Sequence, residues 1–218
     1  LKLNKQNQQK MHQTRQETSI KFPINRKGTK YIAHALSNVN DSVPVVIAVR
    51  DILKLAKTAR EVKEMIKEKL LKINGRDVKD YRESISLFNI FEADKHYALT
   101  ILPTKKFSLE PTSLKNERLC KVSNKQLLKN SKIQFGLHDG SNVITKEKIS
   151  VGDSVYLDFS GKIKKHISLE KGKEIFVFSG KYTGLKGNVK EIKEKKVLIK
   201  FKDKEELVKL NQSQIIAL

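Results

Sequence analysis

Cysteine, tryptophan, arginine and long apolar runs are scarce or absent in this sequence, and each shortage narrows what the chain can be. One cysteine, Cys120, excludes an internal disulfide framework and any paired-cysteine zinc site, and it suits a reducing compartment. Tryptophan is missing and aromatics make up 6% of the 218 residues, so no single large core is expected. No apolar run approaches the roughly 18–20 residues of a membrane span, and Leu1-Lys2-Leu3-Asn4-Lys5 lacks the apolar core of a signal peptide. A soluble cytosolic chain is therefore expected, with a few residues preceding Leu1. Only seven arginines stand beside 38 lysines. Lysine acts as a point charge whereas arginine reads guanine edges, so recognition of a polyanion by backbone and shape is favoured over base reading.

Positive charge is what the chain has in excess: 45 Lys plus Arg against 24 Asp plus Glu, a formal net of +21. Folding does not require this, because like charges on a compact body repel, so a polyanionic partner is implied. Nucleic acid is the first candidate and an anionic membrane surface the second. At 38% hydrophobic the chain still has enough apolar surface for small domains, and four segments emerge. Residues 1–40 carry a net +7, 41–95 only +2, 96–168 +7 and 169–218 +5.

The first segment is rich in Gln and Asn and shows no apolar period before Ile20. It reads as a basic arm, carrying Arg15, Lys21, Arg26, Lys27 and Lys30, that orders on its partner. From Val43 apolar residues recur at helical spacing through Val46, Val49, Leu53 and Ala56, which predicts an amphipathic helix. Thr58-Ala59-Arg60-Glu61 is a capping box that starts a second helix. That helix has Val62, Met65, Ile66 and Leu70 on its apolar side and Arg60, Lys63 and Lys67 on the other. The charges suit a plain solvated face as well as a binding one. Asn74-Gly75 between Ile73 and Val78 is a strong hairpin signal, since both residues tolerate positive φ. The start of the second helix, with Arg60, is expected near this hairpin, with Arg76, Lys79 and Arg82, around a surface that would hold a phosphate backbone.

Residues 96–168 read as a small β barrel or sandwich, with strands around Tyr97–Leu102, Arg118–Val122 and Asp153–Phe159. A second β unit follows, with strands at Glu174–Phe178 and Val197–Phe201 around a loop holding Gly180, Lys181, Gly184, Lys186 and Gly187. No Gly-Lys-Ser/Thr follows these glycines, so they do not make a nucleotide loop, but backbone amides beside two ammonium groups favour a phosphate. The five histidines show no metal-ligand spacing, and the acid pairs Glu205-Glu206 and Asp77 with Asp80 lie in strongly charged sequence. No catalytic residue, metal, cofactor or small-molecule substrate is expected.

The order of parts resembles a known family. Val46 to Ala56, then Thr58 to Glu61, then Ile73-Asn74-Gly75-Arg76-Asp77-Val78-Lys79-Asp80-Tyr81 is similar to the alpha-L RNA-binding fold in the archaeal and eukaryotic small-subunit ribosomal protein family S-four-e. Phe22-Pro23-Ile24-Asn25-Arg26-Lys27 and Leu137-His138-Asp139-Gly140-Ser141-Asn142 agree with it, and Gly180 to Val189 is similar to the KOW motif that closes the family's chains. The resemblance covers about 20–210. It departs from the family in having aromatics at 22 and 31 where the family usually has Trp, and in the stretch Ile85 to Ile90.

The resemblance implies an α+β protein with a basic N-terminal extension (1–40), an alpha-L RNA-binding domain of two helices plus a hairpin (41–95), a central β domain (96–168) and a C-terminal SH3-like KOW barrel (169–218). It implies a structural, non-enzymatic constituent of the small ribosomal subunit in the cytoplasm, bound to small-subunit rRNA and neighbouring ribosomal proteins. By position, Arg50, Lys54, Lys57, Arg60, Lys63, Lys67 and Arg76 would meet RNA phosphates, with Thr58 capping the helix that presents them. The alternatives are a translation or transcription factor using the same modules, and an RNA-modifying enzyme, for which the remaining chain is too small.

Overall fold

The computed structural model describes residues 12–113, 116–128, 132–193, 196–201 and 207–218. The chain forms two compact units. Leu99 closes the first, which also takes Lys106–Thr112; the second holds Thr100–Lys105 and the chain from Ser113 onward. This division cuts across the four segments drawn from composition, because His96–Ile101 and Phe107–Pro111 complete a sheet that starts in the first unit.

In the first unit His12–Thr14 pairs antiparallel with Tyr31–Ala33, placing Gln13 opposite Ile32. The described part of the arm is thus folded against its own unit. The physical reason is apolar anchoring: Phe22 is buried with its ring centroid 6.0 Å from that of Phe107, and the Phe107 amide donates to the Lys21 carbonyl at 2.8 Å.

The helix expected from Val43 takes another form. Ser42–Pro44 is a strand paired with Ser84–Ser86, followed by the short helix α1 (Val45–Ile47) and a π-helical turn, Ala48–Ile52. Val43 and Val45 to Val49 are buried all round rather than on one face, so the apolar spacing reflected complete burial instead of an amphipathic helix. The wide turn is closed by the Leu53 amide donating to the Ala48 carbonyl at 2.9 Å, and Lys54 at φ 58° ends it.

The second helix, α2 (Ala59–Lys67), begins where the capping signal lies: the Glu61 amide donates to Thr58 Oγ1 at 3.3 Å. Only Val62 is fully buried, Met65 and Ile66 are half-buried and Leu70 is exposed, so its packing stripe is narrower than the spacing suggested. Lys69 at φ 57° terminates it. Asn74 at φ 51° and Gly75 at φ 75° then turn Lys72–Ile73 into Arg76–Asp77. The resulting sheet runs Arg76–Asp77, Lys72–Ile73, Ile90–Glu92, His96–Ile101 and Phe107–Pro111.

The second unit holds two five-stranded antiparallel sheets. One runs Asn142–Thr145, Ile133–Leu137, Glu117–Leu127, Ser154–Asp158 and Ile163–Ile167, over a core of Cys120, Val122, Phe135, Leu137, Val155 and Leu157. The other runs Leu207–Asn211, Lys196–Phe201, Lys186–Lys193, Glu174–Val177 and Ile215–Ala217, around Ile175, Val177, Val189, Ile199, Phe201 and Ile215. A polar tie joins the two sheets, the Ala217 amide donating to Ser154 Oγ at 2.9 Å, and the Leu169 amide, after the last strand of the first sheet, donates to Asp153 Oδ1 at 3.1 Å. The chain is mostly β with few helices, an α+β fold.

Candidate nucleic-acid interface

Two basic segments far apart in sequence meet in the first unit. Arg15 and Lys27 from the N-terminal loop, with Arg50, Lys54 and Lys57 from the turn after α1, line a groove of about 760 Å³. The π-helical turn and the positive φ of Lys54 bring the second set there, so irregular backbone positions the charges. Asp51 is the acid in the groove, and Arg50 spans both its oxygens, Nε to Oδ1 at 3.1 Å and Nη2 to Oδ2 at 2.8 Å. Arg15 is half-buried and donates to the Thr29 carbonyl at 2.8 Å, to Thr29 Oγ1 at 3.2 Å and to the Asn25 carbonyl. It shapes the loop, but its acceptors are neutral, so its charge still contributes to the local field.

The second cluster surrounds Tyr81. Lys63 Nζ lies 4.7 Å from the ring centroid and the Arg82 guanidinium 5.7 Å from it. Arg82 forks onto Asp80 (Nε to Oδ1 3.2 Å, Nη2 to Oδ2 2.9 Å), and that bond holds the Asp80 carboxyl below the usual range while raising Arg82. Arg76 pairs with Glu83 at 2.7 Å, and Glu83 also accepts the Lys79 amide at 2.8 Å. The Asn74 carboxamide oxygen accepts the Ile90 amide at 2.9 Å and so stitches the hairpin to the next strand, while Gly75 is exposed. Lys21 is spent on Asp41. Arg26, Lys27, Lys54, Lys57, Arg60, Lys67 and Lys79 are exposed, and none makes an ion pair among the described residues. Lys30 is exposed with Nζ 5.4 Å from the Tyr31 ring. Among the described residues no hydrogen bond or ion pair joins Arg60 to the hairpin; the contact between α2 and the Tyr81–Arg82 stretch runs through Lys63.

The glycine loop of the second unit is shaped by packing. Gly184, at φ 86°, lies against the Leu102 carbonyl, with no room for a Cβ. A Cβ on Gly180 would come 2.7 Å from Gln214 Nε2, and one on Gly187 2.8 Å from the Lys200 carbonyl oxygen. Lys186 is exposed, and Lys181 Nζ lies 5.8 Å from the Tyr182 ring.

Three potential ligand groups, on Cys120, His138 and Asp139, lie within 4.8 Å of one another. They do not fit a metal. Burial pushes the Cys120 thiol up to about 12, His138 Nδ1 accepts the Lys121 amide at 3.2 Å, and Asp139 is bound to Arg118. Burial alone would raise the Asp139 carboxyl, but Arg118 and two bonds from Ser141 outweigh it and leave it lowered. Lys121, which the sequence places on a strand without a functional role, is buried. Its ammonium donates to the Gln212 carbonyl and lies 5.4 Å from the Phe178 ring, and burial pushes it down to about 8.

Residues 93–163 match the model described as ribosomal family S4e. A small ribosomal subunit protein eS4 of Methanocella arvoryzae is 33% identical over 179 residues, 79% of this chain and 76% of the relative. The chain belongs to ribosomal family S4e. The eS4 of Methanocaldococcus jannaschii agrees, at 30% over 199 residues covering 84% and 82%, so this S4e chain is of the archaeal type. The crystal structure of 30S ribosomal protein S4e from Thermoplasma acidophilum superposes with a TM-score of 0.70 over 82% of this chain and 95% of that one at 24% identity, so the two share a fold. The stretch matched by the S4e model begins after Arg82 and ends before Gly180, so of the cations considered above it contains the buried Arg118 and Lys121 and none of the sequence-predicted RNA contacts.

Proposed function

We propose that the chain is a structural constituent of the small ribosomal subunit that binds small-subunit rRNA through phosphate-backbone and shape recognition. The observation that carries this reading is the groove where Arg15, Lys27, Arg50, Lys54 and Lys57 converge with one carboxylate among them. Such a surface suits a phosphate chain, and lysines without ion pairs can replace the counterions of RNA. Residues 41–95 act as an alpha-L module, with Arg60, Lys63 and Lys67 along α2 and Arg76, Lys79 and Arg82 by the hairpin. Residues 169–218 act as a KOW barrel, adding Lys181 and Lys186 at a loop whose glycines set its shape. The protein acts without catalysis, in the cytoplasm, among neighbouring ribosomal proteins.

The test is gradient sedimentation of a cell extract followed by a salt wash. The protein is expected to travel with small subunits and stay on them at salt that spares other core proteins. Staying at the top of the gradient, or leaving at moderate salt, would instead favour a translation or transcription factor using the same modules. If roughly 6–10 phosphates are neutralised, binding of the isolated protein to rRNA falls on the order of 10³–10⁵ between 50 and 200 mM salt.

A further inference from the structure

The loop between the first two strands borders a second hollow, of about 1000 Å³, which shares Arg15, Ile24, Asn25 and Lys27 with the groove beside it and adds Ile20. Arg15 closes the loop through its bonds to Asn25 and Thr29, and Phe22 anchors the far side in the core. Ile20 and Ile24 line the hollow, and Ile20 is 81% exposed. Arg26, Lys27, Lys30 and Lys106 stand around the same hollow. Glu17 is the one acid in residues 12–40, and it accepts the Thr14 amide at 3.2 Å. An apolar wall edged by positive charge matches a ligand with a flat apolar face and an anionic tail, and the size lies within the roughly 300–1000 Å³ of small-ligand sites.

We propose that this hollow receives one unstacked nucleotide of the bound RNA, its base against Ile20 and Ile24 and its phosphate among Arg26, Lys27 and Lys30. The inference rests on the rRNA-binding reading and adds to it a place where a base, not only the backbone, is held. RNA is commonly gripped where single-stranded bases are splayed out of the helix, and contact with a base face tolerates any sequence.

The full chain, labelled at isoleucine δ1 methyls, is titrated by NMR with adenosine 5′-monophosphate and, separately, with ribose 5-phosphate. Ring current from a seated base is expected to shift the Ile20 and Ile24 methyls upfield with the nucleotide, while ribose 5-phosphate leaves them in place. Ile20→Asn, a change at an exposed position, is expected to abolish the methyl response of Ile24. It should also weaken binding of small-subunit rRNA about three- to tenfold without changing the salt slope. Methyls that respond equally to ribose 5-phosphate, or to neither probe, overturn the proposal. So does a chain lacking residues 1–10 whose Ile20 methyl moves with no ligand added, because the occupant is then the chain's own leading segment. If wild-type protein binds rRNA and Ile20→Asn binds equally well, only this inference fails. If wild-type protein binds no rRNA, the reading beneath it fails.

Discussion

The two units pair their cations differently. In the first, most ion pairs are made within nearby sequence, Arg50 with Asp51, Arg82 with Asp80 and Arg76 with Glu83, and Lys21 reaches Asp41. In the second, some charges go inward and hold strands and sheets together, Arg118 with Asp139 and Lys121 with the Gln212 carbonyl, while Lys164 and Lys193 keep outward pairs with Glu117 and Glu191. A net of +21 therefore overstates the surface offered to a polyanion. Local pairing orients side chains without anchoring the fold, whereas the inward pairs are structural and contribute little to an outside partner's field.

The contrast predicts that the second unit breaks hardest. Arg118 and Asp139 have side chains 14% and 3% exposed, and Arg118 Nε already lacks a partner among the described atoms. Asp139→Ala would leave the guanidinium with Ser141 Oγ at 3.2 Å as its remaining side-chain acceptor. A loss of about 3–5 kcal/mol in urea unfolding is expected, as for other buried pairs stripped of one member. Because Arg118 and Ser141 lower the Asp139 carboxyl, the wild-type contribution is present above its unfolded value and is lost as the pH falls through the lower folded one.

Lys121 gives the next effect, with the opposite sign. Its folded value, about 8, lies below the ordinary 10.5, so between these two the unfolded chain binds more protons and stability rises with pH. Below about 8 the amine is charged in both states and the burial penalty is present in full; above 10.5 it is neutral in both and the penalty is gone. A gain of roughly 1–3 kcal/mol across that window is expected in wild type. Lys121→Met should flatten it. An equal rise in both proteins would mean that the surface lysines, not this one, set the alkaline profile.

Mutations in the first unit should do the reverse and spare stability. Lys54 and Lys57 are exposed in the groove without ion pairs. Lys54→Glu with Lys57→Glu is expected to weaken rRNA binding about tenfold or more and to reduce the salt slope by roughly 1.4–1.8, while the melting temperature stays almost unchanged. Lys54→Glu with Lys57→Glu melting several degrees lower with an unaltered slope would place these residues with the structural cations.

What the sequence makes legible follows the same divide. Local chemistry was readable: Asn74-Gly75 turns with both φ positive, Thr58 caps α2, and strands lie at Ser154–Asp158, Glu174–Val177 and Lys196–Phe201. Features decided by distant packing were not. Alternation along Glu117–Leu127 sets Lys121 opposite the buried Cys120 and Val122, which signals exposure; the turn at Gln212–Gln214 covers that side, as its bond to the Gln212 carbonyl records. Arg15 reads from sequence as a phosphate contact alone, and nothing local announces that its N–H groups also donate to the Thr29 and Asn25 carbonyls. The strand Ile215–Ala217, only three residues long, has no periodicity to announce it, and its place beside Glu174–Val177 closes the second sheet.

The smallest effect probes α2, which carries exposed cations in the first unit. Thr58 Oγ1 accepts the Glu61 amide and donates to Glu61 Oε1 at 3.0 Å, yet the other Glu61 oxygen accepts the Lys57 amide at 2.8 Å, and that bond is the largest cause of the lowered Glu61 carboxyl. Thr58→Ala removes the first pair of contacts and keeps the last, so the loss should sit near the low end for a cap, about 0.5–1 kcal/mol. Since the Glu61 carboxyl is depressed in the folded state, its share is present at neutral pH and fades as the pH falls through the folded value. The difference between Thr58→Ala and wild type should therefore shrink in acid, and rRNA affinity at pH 7 should fall less than about twofold, because a slightly frayed helix still carries Arg60 and Lys67. A larger loss of affinity than of stability would show that the cap sets the placement of those cations, and would make even the outward charges of the first unit depend on a fixed geometry.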